Sequence, residues 1–236
     1  AHAIAYHKIK EYNPKSLVGI VKNFPYFIQK EEGKSWKKII AKIADENFNQ
    51  ITLDMLKTGK DPFIPFVKKK GLKNTSDFIG FNYYNIANFV RKKGKFIDLE
   101  MKLPNEGRVT QMDWGVYPQG IYQGLMRVHK ELKIPIYITE NGIATSDDDF
   151  RQEYILKHLI QVKRALDEGA DIRGFFYWGA IDNFEWNEGF EPRFGLIGID
   201  YTTQERIIRN ATKMYGNIAQ SNQISADLLE KFNLLE

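Results

Sequence analysis

Short apolar runs alternate along this chain with longer segments whose apolar positions follow helical spacing. Four runs have the length and apolar content of buried strands, at residues 16–21, 78–84, 136–139 and 174–178. The helical segments that follow them lie at 36–57, 118–132, 149–168 and 210–220. Because the strands are continuously apolar rather than alternating, the pattern predicts an α/β fold with a parallel sheet covered by helices.

Three local features refine this pattern. Residues 1–10 have helical spacing without a starting methionine or an N-cap residue before them, so we interpret them as the continuation of a helix. Residues 85–114 show no regular pattern, and we predict irregular structure there. Ser146 precedes a turn rich in acids and is the candidate N-cap of the helix at 149–168.

The composition of the 236 residues is that of a globular protein. With 43% hydrophobic and 27% charged residues, it argues against disorder and collagen-like repeats. The absence of cysteine excludes disulfides and thiolate chemistry and suits a reducing compartment, so we expect a cytoplasmic protein. No run of 18 apolar residues occurs, and we therefore predict no membrane-spanning segment.

Charge and histidine content argue against nucleic-acid and metal chemistry. The net charge is only +4, and the basic runs at 68–70 and 91–93 are typical of solvated surface, so we predict no nucleic-acid partner. The four histidines fall in helix-like segments rather than at strand ends. We therefore predict no metal and no cofactor, and a metal-dependent barrel hydrolase or isomerase is the least favoured interpretation.

Polar and aromatic side chains gather where the predicted strands end, which is where sites form in α/β proteins. Glu140 leaves the third strand and is followed by the turn residues Asn141 and Gly142. The fourth strand ends at Trp178 and runs into an acidic and aromatic loop at 182–195. Aromatic faces stack on the apolar face of a pyranose ring, and carboxylates accept hydrogen bonds from its hydroxyl groups. The pattern favours a sugar site over the alternative, in which these aromatic residues only pack the top of a barrel.

The strand ends carry longer motifs as well. These are Asp-Phe-Ile-Gly-Phe-Asn-Tyr-Tyr at 77–84, Tyr-Ile-Thr-Glu-Asn-Gly-Ile at 137–143, Tyr-Trp at 177–178, Asp-Asn-Phe-Glu-Trp at 182–186 and Arg-Phe-Gly at 193–195. In order and spacing they resemble glycoside hydrolase family 1, the retaining β-glycosidases, and in particular the archaeal β-glucosidase and β-galactosidase type. The resemblance covers essentially the whole chain and implies a (β/α)8 TIM barrel that hydrolyses β-glycosides.

The resemblance also implies roles for single residues. Glu140 matches the nucleophile, which attacks the anomeric carbon and forms a glycosyl-enzyme, and Tyr84 matches the tyrosine that hydrogen-bonds this carboxylate. The matches to substrate-binding positions are Asn82 near the 2-hydroxyl, Trp178 under the sugar, Glu185 and Trp186 at the 4- and 6-hydroxyls, and Phe194 near the 6-position. A carboxylate at Glu185 would repel a 6-phosphate, which favours unphosphorylated β-glycosides.

One catalytic group is missing from the sequence. A retaining glycosidase needs a second carboxyl group about 5–5.5 Å from the nucleophile, acting as acid and base. In this family it is the glutamate of an Asn-Glu-Pro after the fourth barrel strand, and no Asn-Glu-Pro occurs here. The pattern also gives four strands where a closed barrel has eight. We therefore expect residues 1–236 to be the C-terminal half of a single TIM-barrel domain, strands 5–8, with the acid/base glutamate supplied by an N-terminal half.

Two interpretations of activity stay open. In the first, this chain is an enzyme that is inactive until the N-terminal half, on the same or a separate chain, completes the barrel. In the second, it is a catalytically incomplete half-barrel that binds sugar without turnover. An activated aryl glycoside separates them, because Glu140 can form the glycosyl-enzyme from such a substrate without help from an acid.

Overall fold

The computed structural model describes residues 1–28, 35–60, 71–92, 94–101 and 107–235. The basic run at 68–70 and the last residue of the run at 91–93 lie outside these ranges. The elements in chain order are α1 (His2–Tyr12), β1 (Gly19–Asn23), β2 (Tyr26–Phe27), α2 (Ser35–Asp45), a π-helical turn (Glu46–Gln50), α3 (Ile51–Thr58), β3 (Phe78–Asn82), β4 (Ile86–Lys92), β5 (Lys95–Glu100), α4 (Pro118–Leu132), β6 (Ile136–Asn141), α5 (Asp148–Asp167), β7 (Ile172–Tyr177), a 3-10 turn (Trp186–Glu188), β8 (Ile197–Ile199), β9 (Arg206–Ile208), α6 (Asn210–Ser221) and α7 (Ala226–Lys231). No helix in these ranges is long and apolar enough to cross a membrane.

The four predicted strands form one parallel sheet in the order β1-β3-β6-β7, which confirms the predicted α/β arrangement. Their side chains alternate between two faces, as the pleat requires. Ile79, Phe81 and Ile138 are completely buried on one face, where they pack with Leu125 of α4 and Val162 of α5. The main apolar core therefore lies between this sheet and the helices that cover it.

The other face of the sheet is apolar, and the described residues leave it uncovered at its two edges. Val21 lies in the edge strand β1 and is 54% exposed. Phe176 lies in the opposite edge strand β7 and is 56% exposed. Phe78 and Tyr137 lie on the same face, with their rings edge to face at 5.3 Å. Within the described residues, β1 and β7 each pair with a single neighbouring strand. Because parallel sheets are covered on both faces, this sheet has the form of one part of a larger structure.

The prediction of irregular structure at 85–114 is wrong in its first half. β4 and β5 form an antiparallel hairpin there, and β2 pairs with β4 in parallel. Ala87 packs with Ala41 of α2, and the ring of Phe89 stacks on Phe27 at 6.4 Å. The apolar contact between this hairpin and α2 is small. The apolar pattern in its sequence is therefore short and does not predict the two strands.

The helix predicted at 36–57 is interrupted in its middle. A π-helical turn separates α2 from α3, and it carries the buried Asn49. The Asn49 amide donates to Asp45 Oδ1 at 2.7 Å and to the Pro25 carbonyl at 3.0 Å. These two contacts hold the turn against the segment that leaves β1.

Ser146 as the N-cap of α5 is also wrong. The Ser146 hydroxyl accepts a hydrogen bond from Gln111 Nε2 at 3.0 Å and is used in a loop contact. The helix is instead capped by Asp147, whose carboxylate accepts from the Phe150 backbone N–H at 2.9 Å. The hydrogen bond to the Phe150 backbone N–H is the main cause that lowers the pKa of Asp147, so the cap stays ionised.

Candidate active site

Glu140 and Tyr84 meet at the carboxyl end of the parallel sheet. Tyr84 follows β3, Glu140 lies near the end of β6, and these strands are direct neighbours. The Tyr84 hydroxyl donates a hydrogen bond to Glu140 Oε2 at 2.7 Å. Burial and this hydrogen bond raise the pKa of Tyr84 far above its ordinary value, so its hydroxyl stays protonated and available as a donor. The structure therefore brings together the two residues predicted to be catalytic.

Asn82 and Asn141 lie at the same strand ends and make different contacts. The buried Asn82 accepts a hydrogen bond from Thr139 Oγ1 at 2.5 Å, across the pair β3 and β6. The side chain of Asn141 is completely buried, and its amide donates to the Tyr83 carbonyl at 2.6 Å and to the Tyr154 hydroxyl at 2.9 Å. Asn82 thus lies in the strand next to Glu140, whereas Asn141 fixes the backbone around it.

An aromatic cluster surrounds the Tyr84 ring. Trp114 lies 5.8 Å from Tyr84, and Phe194 lies 6.3 Å from both rings. Phe194 was predicted as part of the site, and the structure places it against Tyr84. Trp114 was missed, because it follows a stretch without any regular pattern. The only signal in the sequence is a large aromatic residue beside Gly115, and this does not place it in space.

Trp178 follows β7 and is held close to the turn after Glu140. Its backbone N–H donates to the Asn141 carbonyl at 3.0 Å, and the peptide bond between Trp178 and Gly179 is cis. The Trp178 carbonyl oxygen lies where a side chain at Gly142 would begin, since a Cβ there would be 1.8 Å away. Trp178 is 37% exposed, so part of its surface is accessible beside the strand end that carries Glu140.

Asp182 holds the long loop that follows Trp178. It is 3% exposed, and it pairs with Arg209 through two hydrogen bonds of 2.9 and 3.1 Å and accepts from the Gly195 N–H at 2.8 Å. Burial by itself would raise the pKa of Asp182, but the hydrogen bonds and charge of Arg209 outweigh it and the pKa is lowered. An ionised Asp182 therefore joins the start and the end of the loop that carries Glu185 and Phe194.

Glu185 and Trp186 differ in how they relate to the rest of the site. Partial burial raises the pKa of Glu185, and the negative charges of Glu140 and Glu188 raise it further, so Glu185 lies within the field of the predicted nucleophile. Trp186 is 84% exposed and makes none of the ring contacts found among the described aromatic residues. The charge of Glu140 thus acts on Glu185, whereas the Trp186 ring lies in solvent.

The described residues contain no cluster of side chains suited to a metal ion. No three histidine, aspartate or glutamate side chains in the described ranges lie close enough together to hold a metal ion. Of the four histidines His158 is the one that is completely buried, and its ring stacks on Tyr154 at 3.9 Å. Burial lowers the pKa of His158 to about 4, which keeps it neutral at ordinary pH.

Comparison with known proteins gives consistent matches. The family model "Glycosyl hydrolase family 1" matches residues 1–224. A β-galactosidase of Sulfolobus acidocaldarius is 31% identical over 97% of this chain and 48% of its own length. A 6-phospho-β-galactosidase of Staphylococcus haemolyticus is 34% identical over 64% of this chain and 39% of its own. A solved β-glycosidase of Pyrococcus horikoshii superposes with a TM-score of 0.86 at 41% identity, over 100% of this chain and 55% of that one. The chain thus spans about half the length of the relatives it matches.

Proposed function

Because this chain belongs to glycosyl hydrolase family 1, we propose that residues 1–236 form the C-terminal half, strands 5–8, of a single TIM-barrel domain in a retaining β-glycosidase. Glu140 is the nucleophile that forms the glycosyl-enzyme, and Tyr84 assists it. The acid/base glutamate comes from an N-terminal half, on the same polypeptide or a second one. We refer to this chain together with that half as the complete barrel.

The hydrogen bond from Tyr84 to Glu140 Oε2, at 2.7 Å, is the observation that carries the proposal. Attack on an anomeric carbon requires an ionised carboxylate held in a fixed direction. A donor that stays protonated stabilises the negative oxygen and leaves the second carboxylate oxygen, Oε1, to face the substrate. The pair lies at the carboxyl end of a parallel sheet, which is the functional end of barrels of this type.

The need for a second half is supported by the sequence and by the sheet. The chain contains no Asn-Glu-Pro, so the proton donor of the family motif is missing. The exposed apolar face at Val21 and Phe176 has the character of a barrel interior, which is normally filled by layers of side chains from all eight strands. In our proposal the N-terminal half covers this face and places its carboxyl group about 5–5.5 Å from Glu140.

We assign the sugar contacts to Asn82, Trp178, Glu185, Trp186 and Phe194. Glu185 is the residue that bears on substrate class. Its carboxylate lies within the field of Glu140, and a 6-phosphate placed beside these two negative groups would be repelled. The substrate class is therefore unphosphorylated β-glycosides, even though some relatives are 6-phospho-β-galactosidases.

A mechanism-based label tests the proposal. An aryl 2-fluoro-β-glycoside incubated with the complete barrel should attach one sugar to Glu140, detected by the mass of the labelled peptide. The fluorine slows release of the glycosyl-enzyme, so the covalent species accumulates. Glu140→Gln is the control and should take up no label while it still binds sugar. A label on another residue, or normal turnover by Glu140→Gln, would refute the assignment of the nucleophile.

The same experiment identifies the alternative function. A half-barrel that only binds sugar would show heat of binding with a β-glycoside in calorimetry but would never be labelled, even when the N-terminal half is added. Trp178 and Glu185 would then serve recognition alone, without turnover.

A further inference from the structure

Arg151 is a buried charge that the proposed mechanism does not use. It lies in the first turns of α5, and its side chain has no exposure to solvent. Its guanidinium donates to five acceptors: the carbonyls of Ile143 (2.8 Å), Thr145, Arg193 (2.9 Å) and Phe194 (3.2 Å), and the Tyr177 hydroxyl (3.1 Å). Four of the five are backbone oxygens, so the guanidinium holds chain segments rather than side chains.

These acceptors come from three separate segments, and each segment carries a residue of the proposed site. Residues 143–145 follow Glu140 in the chain. Tyr177 immediately precedes Trp178. Residues 193–194 include Phe194 itself. One side chain therefore joins the segment after Glu140, the end of the strand before Trp178 and the segment that contains Phe194.

The surroundings of Arg151 show that this arrangement is not an ordinary ion pair. Its closest carboxylate contact, from Nε to Asp148 Oδ1, measures 3.7 Å, and neither atom has a hydrogen-bond partner among the described residues. The charge is balanced mainly by carbonyl dipoles. Burying a charge is favourable only when its polar neighbours are held in place, so the guanidinium and the three segments fix one another.

We propose that Arg151 is a positioning residue, which sets the placement of Glu140 relative to Trp178 and Phe194. The inference rests on the proposed role of Glu140 as nucleophile. Reaction rates depend steeply on such placement, and a displacement of about 1 Å can cost about 100-fold. Loss of the guanidinium should therefore affect the chemical step more than the binding of sugar.

The test uses the complete barrel with an aryl β-glycoside, and active sites are counted with the fluoro-sugar label. For Arg151→Met we expect kcat to fall about 10- to 100-fold per labelled site, with KM changed less than about 3-fold. Arg151→Lys should recover part of the loss, because an ammonium has three N–H donors against five in a guanidinium. The rate of label uptake should fall as well, since it reports attack by Glu140 directly.

Two variants of the same helix separate positioning from general stability. Val162→Ala removes buried volume from α5 on the side of the main core, so it should lower the midpoint of thermal unfolding but leave kcat per labelled site unchanged. Arg164→Met removes an arginine whose side chain is 57% exposed, and it should change neither quantity appreciably.

The outcomes are decisive for each claim. Unchanged kcat in Arg151→Met, or an equal loss of kcat in Val162→Ala, would overturn the positioning role. If Arg151→Met does not fold, Arg151→Lys decides: a wild-type kcat overturns the inference, and a reduced kcat in a folded protein supports it. A wild-type barrel without hydrolysis or label overturns the proposed function and this inference with it, whereas an active wild type beside an unaffected Arg151→Met overturns the inference alone.

Discussion

At the scale of single residues, Tyr84 donates a hydrogen bond to the carboxylate of Glu140, the proposed nucleophile. Burial and the carboxylate it contacts raise the pKa of Tyr84, so its hydroxyl stays protonated and remains a hydrogen-bond donor to Glu140. The neighbouring Tyr83 has the same chemistry but a different use, since its hydroxyl donates to the Tyr117 carbonyl at 2.6 Å. Two adjacent tyrosines thus serve the site and the packing separately.

Tyr84→Phe should lower kcat of the complete barrel by about 10- to 100-fold, because a hydrogen bond to a charged group contributes about 1.5–3 kcal/mol. Steady-state kinetics with an aryl β-glycoside measures the effect. Tyr83→Phe is the matched control: it removes a buried hydroxyl one residue away and should lower stability while kcat stays within about 2-fold of the wild type. Equal losses of kcat in the two variants would contradict the role given to Tyr84.

At the scale of elements, Arg209, which precedes α6, pairs with Asp182 at the start of the loop at 182–195 that carries Glu185 and Phe194. The lowered pKa of Asp182 has a direct consequence for stability. A carboxyl group with a lowered folded-state pKa stabilises the fold at pH values above the ordinary pKa of aspartate, and this contribution is lost as the pH falls through the folded-state value. The loop should therefore loosen in acid before the sheet does.

Asp182→Asn should destabilise the complete barrel by about 3–5 kcal/mol at pH 7, because Arg209 would lose its buried partner. Its stability should also fall less between pH 7 and pH 3 than that of the wild type. Urea unfolding at both pH values measures these effects. In the control Asp171→Asn, an exposed pair with Arg173 is lost, and the change should stay below about 1 kcal/mol. Similar losses of stability in both variants would show that the Asp182 pair stabilises the fold no more than the exposed pair of Asp171 and Arg173.

The elements also show what could be predicted from the sequence. The four strands that form the parallel sheet were predicted within a few residues, because each is a short and continuous run of apolar residues. The β4–β5 hairpin was not predicted, since its apolar side is short. The cap of α5 was placed at Ser146 instead of Asp147, because both are good N-cap residues and only the contact of Ser146 with Gln111 separates them.

The site was predictable to a different degree. Glu140, Tyr84 and Phe194 came from motifs at strand ends, and the structure places them together. Trp114 and Arg151 could not be found in this way. Trp114 reaches the site from an irregular segment, and Arg151 acts from a helix through backbone oxygens, which leave no mark on the sequences that contribute them.

At the scale of the whole molecule, the uncovered sheet face is the main feature. Phe176 on this face and Ile208 in β9 are almost equally exposed, at 56% and 54%. Their surroundings differ, however, since in the part of the chain that the structure describes β9 pairs only with β8, in a separate hairpin. If the N-terminal half covers the sheet, Phe176 becomes an interior residue of the complete barrel and Ile208 stays at its surface.

Phe176→Asp should therefore destabilise the complete barrel by several kcal/mol, or prevent its assembly, because a charge would be buried without a partner. Ile208→Asp should change stability by no more than about 0.5–1 kcal/mol. Urea unfolding of the complete barrel, together with the yield of the assembled species, provides the comparison. Equal effects of the two substitutions would show that the sheet face is not covered.

The contact between Gly142 and Trp178 has a consequence for protein engineering. A single methyl group at position 142 would need the space that the Trp178 carbonyl oxygen occupies, so alanine already forces the two strand ends apart. Separation would move the indole away from the strand that holds Glu140. In a saturation library made to change substrate preference, position 142 would accept one amino acid, and diversity has to be sought in the more distant loops.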